Sequence, residues 1–525
     1  VKKTIRKISP WLGIILLLSL LLLLLDLRSN TLSGWLAYLV MCGVLALLVA
    51  GVGRVVFRQG IPGNVARAFV IALGLRLVIG VVLFHALPLF GYDEKPQNAG
   101  YVFADAYHRD VDSFQLARSE EPLSSAFTNP SGDDQYGGFK FLDALIYRYL
   151  SPDVRRPFLI MLMCAVISAL SIFPMWGFAQ AAFGSKAADA AAWVMVLFPD
   201  AILLGASQMR EPLIIFALSF ALFGYAKVRE DGLKEGLLLI LLSALFILPI
   251  SPPYTFAILG ILALIWIFDG QVSVLRARWL LAALVGIIAL TLFFIIHSWT
   301  QIEGFSKSGF MVIVQWIKSL TARDKLMIIA SQSDWTRHLF RSTPEWAHYP
   351  VFVFYGIFRP FLPAAIIDSG APIWRIIALW RGLGWFSLLP FLLYAPFAAV
   401  RHAGWRSLPT GLSLLTWITI LISSYRGAGD QWDNPRYRTA FIVLQAVLVG
   451  WAWVISREKK SRWLQRMAIL VLSVTVLFTL WYAFRGRLLP AFTPMHMIAS
   501  MAAFIVLFFL FHLVRDFYRS RKVTT

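Results

Sequence analysis

Cysteine is nearly absent. Cys42 and Cys164 are the two in 525 residues, and each sits inside an apolar run. Two such positions offer neither a metal-ligand spacing nor a disulfide framework. Charge is also scarce, at 14% of residues, while 59% are hydrophobic and the mean hydropathy is +0.72. Soluble domains are about half apolar and a quarter charged, so a soluble fold is excluded. Acid is scarcer than base, with 28 Asp and Glu against 48 Lys and Arg and a net charge of +20. That balance invites a nucleic-acid partner. However, the basic residues gather beside the ends of apolar runs, as the positive-inside rule requires, and we read no nucleic-acid partner. No Gly-rich phosphate loop, internal repeat or low-complexity tail is visible. The outer loops reach about 50–65 residues, too few for an independent core.

What is present is a series of long apolar runs, near 10–26, 34–53, 68–90, 157–182, 187–206, 211–227, 236–251, 253–269, 279–297, 384–400, 408–424, 438–455, 467–484 and 494–514. They predict an all-α polytopic membrane protein of about fourteen transmembrane helices. Continuous rather than alternating runs exclude a barrel. The first run follows Lys2-Lys3 as in a signal peptide but lacks a small-residue cleavage site, so a retained helix is expected. Lys2 to Lys7, Arg54 to Arg67, Lys227 to Lys234, Arg276 to Arg278, Arg401 to Arg406, Arg457 to Arg462 and Arg515 to Lys522 fall on one side, read as cytoplasmic together with both termini. Segment 349–366 carries Arg359-Pro360 and Pro363 and is read as re-entrant, because counting it as a span would invert every later loop. Segments 139–150 and 373–383 read as amphipathic helices at headgroup level.

One stretch departs from this pattern. Residues 91–156 are polar and acidic, and within them Asp105, Asp110 and Asp112 lie close together. Such carboxylates can hold a divalent metal ion, or one can act as a base while another tunes it. The bland alternative is a solvated outer loop. A helix begun at Asp110 sends Phe114 and Ala117 to the membrane or core and is expected to leave Asp110 and Asp112 toward a cavity. Arg210-Glu211 at membrane depth either lines a polar cavity or closes on itself as an ion pair. Arg436-Tyr437-Arg438 runs against the positive-inside trend, which suits phosphate binding, with snorkelling to lipid headgroups as the plainer reading. Arg359 and the basic loop 298–348 add cations that can cover a substrate.

In order along the chain these positions resemble the GT-C superfold of integral-membrane glycosyltransferases that use polyprenyl-phosphate sugars, such as the aminoarabinose and mannosyl transferases. Asp110, Phe114 and Ala117, with Asp105 as the nearby alternative, take the place of that family's acidic motif in a first large extracytoplasmic loop. The 139–150 segment takes that of its amphipathic helices, and Arg210-Glu211 and Arg436-Tyr437-Arg438 those of later motifs. The chain departs from the family in its Asp110-Val-Asp112 pair, in Tyr136-Gly-Gly-Phe-Lys140, and in two added helices. The resemblance implies three parts: extra helices over 1–67, a catalytic core over 68–455 with outer loops 91–156, 298–348 and 425–437, and C-terminal helices over 456–525. It implies inverting transfer from a polyprenyl-phosphate-linked sugar to an acceptor glycan, lipid or protein, outside the cytoplasmic membrane of a bacterium or archaeon. Asp110, Asp105, Asp112 or Glu211 would be catalytic. Arg436, Arg438, Tyr437, Arg210 and Arg359 would hold the lipid phosphate, and any metal would lie among Asp105, Asp110 and Asp112. Competing readings are a polysaccharide polymerase or ligase acting on lipid-pyrophosphate-linked glycan, and a flippase or transporter.

Overall fold

The computed structural model describes residues 2–26, 31–128, 136–230, 232–269, 274–299, 308–316, 318, 344, 350, 353–427, 432–485 and 492–524. Every regular element among them is a helix. Each of the fourteen apolar runs lies on one or two helices, though not all of these are long enough to count as spans by length and composition. Among the described residues, eight helices are long and apolar enough to cross a membrane, nine if a bent pair counts as one span. The runs over 253–269 and 279–297 give shorter apolar helices, and those at 236–251 and 438–455 give helices of 15 and 17 residues. Most of the 298–348 loop lies outside the described residues.

The centre is the segment Pro157–Phe183, whose spanning window is wholly buried. Pro157 opens it, where a missing N–H costs nothing. It is hydrophobic all round, as a helix enclosed by other helices must be. Glu211–Arg229 packs against it and pairs closely with Leu233–Ile247. Small residues set that approach, because a Cβ on Gly224 or on Gly236 would strike the other's carbonyl oxygen. Gly236→Val is therefore expected to force the pair apart and to cost about 1–3 kcal/mol, the usual penalty of overpacking. Thermal unfolding of the purified protein measures this, and an unchanged midpoint would refute the close approach.

The run at 187–206 is not one straight span. Ser185–Leu197 and Pro199–Gly205 meet at a 61° bend. Proline disfavours the helical region for the residue before it, and Phe198 is extended, with φ −68° and ψ 119°. Segment 373–383 also differs from expectation. It is the opening of one continuous helix, Pro372–Ala403, since nothing between Trp380 and Trp385 stops a helix once it is packed. In segment 349–366 the described residues give only short helical pieces, ending in Leu362–Ile367.

Polar contacts sort into the two ends of the bundle. At one end Arg58 meets Glu235 at 2.6 Å, Arg229 meets Asp269 at 3.2 Å and Arg466 meets Asp516 at 2.5 Å. At the other, Arg156 donates to Thr31, Trp374 to Gln97, and Arg436 meets Asp105. Leu32–Val56 runs between these ends, from Thr31 to Phe57, whose ring lies 5.7 Å from that of Trp176. The acidic segment thus lies at the end opposite Arg58, Arg229 and Arg466.

Candidate active site

The acidic segment folds as helices. Ala104–Arg118 carries Asp105 in its first turn, where a carboxylate suits the helix dipole. Its buried face is Ala106, Arg109, Asp110, Ser113, Leu116 and Ala117, the i, i+3, i+4, i+7 spacing of one helix stripe. The helix starts six residues before Asp110, and Asp110 shares the face of Ala117. The expectation that Asp110 turns away from that face toward a cavity is corrected on this point, because residues seven apart lie on one side.

Asp110 is fully buried and engaged on both oxygens. Tyr101 Oη donates to Oδ2 at 2.6 Å, Tyr147 Oη donates to Oδ1, and Arg155 Nε lies 3.5 Å away. Burial, reinforced by the Asp110 charge, raises the Tyr147 phenol well above its ordinary range and keeps it a donor. Tyr147 belongs to Gly138–Leu150, the amphipathic helix anticipated at 139–150. From that helix Arg148 donates to the carbonyls of Leu116, Ala117, Ser119 and Glu121 at 2.6–3.1 Å, satisfying the end of the acidic helix. Asp110 therefore joins two helices. Tyr147→Phe is expected to cost about 1.5–3 kcal/mol, the worth of a hydrogen bond to a charged group, read as a lower unfolding midpoint. A midpoint equal to that of the parent would remove Asp110 from this structural role.

Asp105 is different. Its side chain keeps 28% exposure and meets Arg436 Nη2 at 2.8 Å and Arg109 Nη2 at 3.4 Å. Burial pushes its pKa up, but the charges of Arg436 and Arg109, the hydrogen bond from Arg436 and the charge of Arg210 outweigh it and hold the carboxyl below its ordinary value. Arg436 also meets Asp433 at 3.3 Å and feels the Glu211 charge. Glu211 is buried in the first turn of its helix. Its Oε2, with Nε and Nη1 of Arg210, is buried with no hydrogen-bond partner among the described residues. Three carboxylates, Asp105, Asp433 and Glu211, and three guanidinium groups, Arg109, Arg210 and Arg436, thus converge here.

Arg438 serves another group. It donates to Arg359 O at 2.6 Å and Ile357 O at 3.4 Å and lies 3.4 Å over the Trp385 ring. Arg359 covers the Tyr355 ring at 5.6 Å, and Tyr437 lies beneath Arg426 and Arg436. Residues two apart leave a helix on different sides, so Arg436 and Arg438 do not form one clamp. Asp112 is half-buried on the Asp105 side of its helix, seven residues or roughly 10 Å along the axis. The three aspartates do not converge, and among the described residues no three His, Cys, Asp or Glu side chains form a metal-sized group.

Several contributors carry no sequence signal. Asp200 and Arg381 form a buried ion pair, and Arg381 Nη1 donates to Trp432 O at 2.6 Å. Trp432 stacks on Phe103 with centroids 5.0 Å apart. These contacts fix the turn that carries Arg436 to the start of the acidic helix. Arg109 was within reach of reading, as the i+4 partner of Asp105.

No protein-family model matches the chain, and no curated protein matches it. Solved structures of an oligosaccharyltransferase from Archaeoglobus fulgidus are similar in part. One, with zinc and sulfate, gives a TM-score of 0.42 at 16% identity over 78% of this chain and 52% of that chain. Another, AglB in complex with an inhibitory peptide and a dolichol-phosphate, gives 0.39 at 14% over 79% and 55%. The chain spans about half the length of these proteins. Likeness at this level carries no inference about activity.

Proposed function

We propose that the chain is a membrane glycosyltransferase of GT-C type that works at the end of the bundle holding Asp105, outside the cytoplasmic membrane, with both termini inside. The observation that carries this reading is the pairing of Asp105 with Arg436, a half-buried carboxylate and a buried guanidinium brought together from distant parts of the chain. A lipid-linked sugar phosphate fits such a pair. Its phosphate takes Arg436 and Arg210, and Asp105 loses its strongest counter-charge. The Asp105 carboxyl then becomes more basic at the moment a base is needed. It accepts the proton of the acceptor hydroxyl, the acceptor oxygen bonds to the anomeric carbon with inversion, and the bond from that carbon to the phosphate oxygen breaks. The leaving lipid phosphate keeps the electron pair, stabilised by Arg436. Glu211 lies near enough to orient the acceptor or to tune Arg436.

The acidic helix favours this over a polymerase or ligase that relies on cations of late loops alone. A transporter is disfavoured because Arg76, the charge deepest in a span, is bound to Ser168, to Ala72 O and to Met195 O. The test is a structure of the protein with a polyprenyl phosphate. The phosphate is expected within ~3 Å of Arg436, with Asp105 freed across a sugar-sized gap. A phosphate bound elsewhere with the Asp105–Arg436 pair intact would reject the proposal.

A further inference from the structure

At the end of the bundle opposite Asp105, the last turn of Pro372–Ala403, the turn before Trp463–Phe484 and the final helix border an open cavity of about 330 Å³. Its walls carry Arg401, Lys459, Lys460, Arg462 and Arg466 against one carboxylate, Asp516. Local geometry explains the grouping. Ile442–Glu458 ends with Ser461 N bonded to Ser456 O and with Lys460 in the left-handed region, φ 48°. That is a helix stop of the Schellman kind, and it turns the chain within a few residues so that Lys459, Lys460 and Arg462 border one opening.

The lone carboxylate is already committed. Asp516 accepts from both terminal nitrogens of Arg466, at 2.5 and 2.6 Å. Among the described residues, Arg401, Lys459, Lys460 and Arg462 make no ion pair. Arg466 itself is 4% exposed, lies 4.6 Å over the Trp463 ring, and has a buried Nε without a hydrogen-bond partner. Like charges held this close without counter-charge repel one another, and an anion that enters relieves that repulsion. The depth of the site says which anion. Trp463 forms part of the wall, and exposed Trp405 lies two residues past the end of Pro372–Ala403. Tryptophans mark the headgroup level of a bilayer, and basic pockets between spans at that level take lipid phosphates.

We propose that this cavity binds the phosphate of an anionic membrane lipid, held by Lys459, Lys460, Arg462 and Arg401 and seated against the Arg466 side chain. The site is separate from the Asp105 cluster and stands whether or not the chain transfers sugars. It would tie the C-terminal helices, which otherwise expose most of their surface to lipid, to the rest of the bundle.

The test uses the full chain in nanodiscs of phosphatidylcholine with and without phosphatidylglycerol, with retained lipid counted by native mass spectrometry. The parent protein is expected to retain phosphatidylglycerol selectively. A variant with Lys460→Gln and Arg462→Gln, both exposed positions, is expected to lose roughly fivefold retention per residue. A control with Arg67→Gln and Lys234→Gln, exposed at the same end but outside the cavity, should keep the parent value. In detergent, inorganic phosphate separates the sources. Stabilisation by phosphatidylglycerol but not by phosphate, lost in the cavity variant, supports the lipid. Equal stabilisation by both, lost in that variant, assigns a phosphate site open to soluble anions and overturns the lipid assignment. Equal loss in the control and cavity variants, or no loss in either, reduces the cluster to ordinary charge at a membrane face and overturns the site.

Discussion

Asp105→Asn is expected to lower the rate of sugar transfer by about 10²–10⁴-fold, the range over which a positioned base acts, while expression and the unfolding midpoint stay near those of the parent. The substitution keeps the shape of the side chain and removes only its basicity, and the side chain is not enclosed in the core. Asp110→Asn should do the reverse. An amide cannot accept from both phenols through two oxygens, so Tyr101 or Tyr147 must turn or lose its bond, and the effect falls on stability. Single-turnover transfer from a polyprenyl-phosphate sugar, set beside melting curves, separates the two variants. Retention of more than about a tenth of the parent rate by Asp105→Asn would place the base elsewhere.

The second large effect concerns Arg436. Its replacement by Gln is expected to cost about 10²–10³-fold, as for removal of one donor that stabilises developing charge. It also carries a signature that a merely structural arginine lacks. In the free protein burial raises the Asp105 pKa, but the Arg436 charge and its neighbours lower it further, below the ordinary carboxylate range. The basic form, and with it the activity, is present above that depressed value and is lost as pH falls through it. Without Arg436 the effect of burial gains weight, so the acid limb of kcat/KM should move to higher pH. A limb that stays in place while the rate falls would assign Arg436 a packing role.

These two residues show how far the sequence could be read. The helices were legible because apolar runs of that length have few other solutions. The bend at Pro199 and the start of Glu211–Arg229 could be anticipated from proline alone. The acidic segment and the Arg-Tyr-Arg turn stood out because each breaks the charge pattern around it. What could not be read was partnership. Asp110 and Asp105 look alike in one dimension. Only the arrival of Tyr147 and Arg155 from the neighbouring helix and its exit turn makes the first a buried joint, leaving the second to face Arg436. Helix periodicity did hold a clue, since Asp110 and Ala117 share a face. The Asp200–Arg381 pair left no trace, because two ordinary charges far apart in sequence have no pattern until the fold joins them. Arg438 is similar: beside Arg436 in sequence, it is separated by the side of the helix it leaves from.

The packing of Ser185–Leu197 has a consequence for how the protein is made. Its alanine-rich face lies against Ile442–Glu458, and a Cβ on Gly450 would strike the Ala187 carbonyl. During synthesis at ~5–20 residues per second, that partner emerges tens of seconds after Leu197. For that interval the nascent bundle holds an interior helix with an unclosed seam, in contact with lipid or with the insertion machinery. A message cut short before Ile442 would therefore yield a chain whose centre never closes, and its expected fate is proteolysis rather than partial activity.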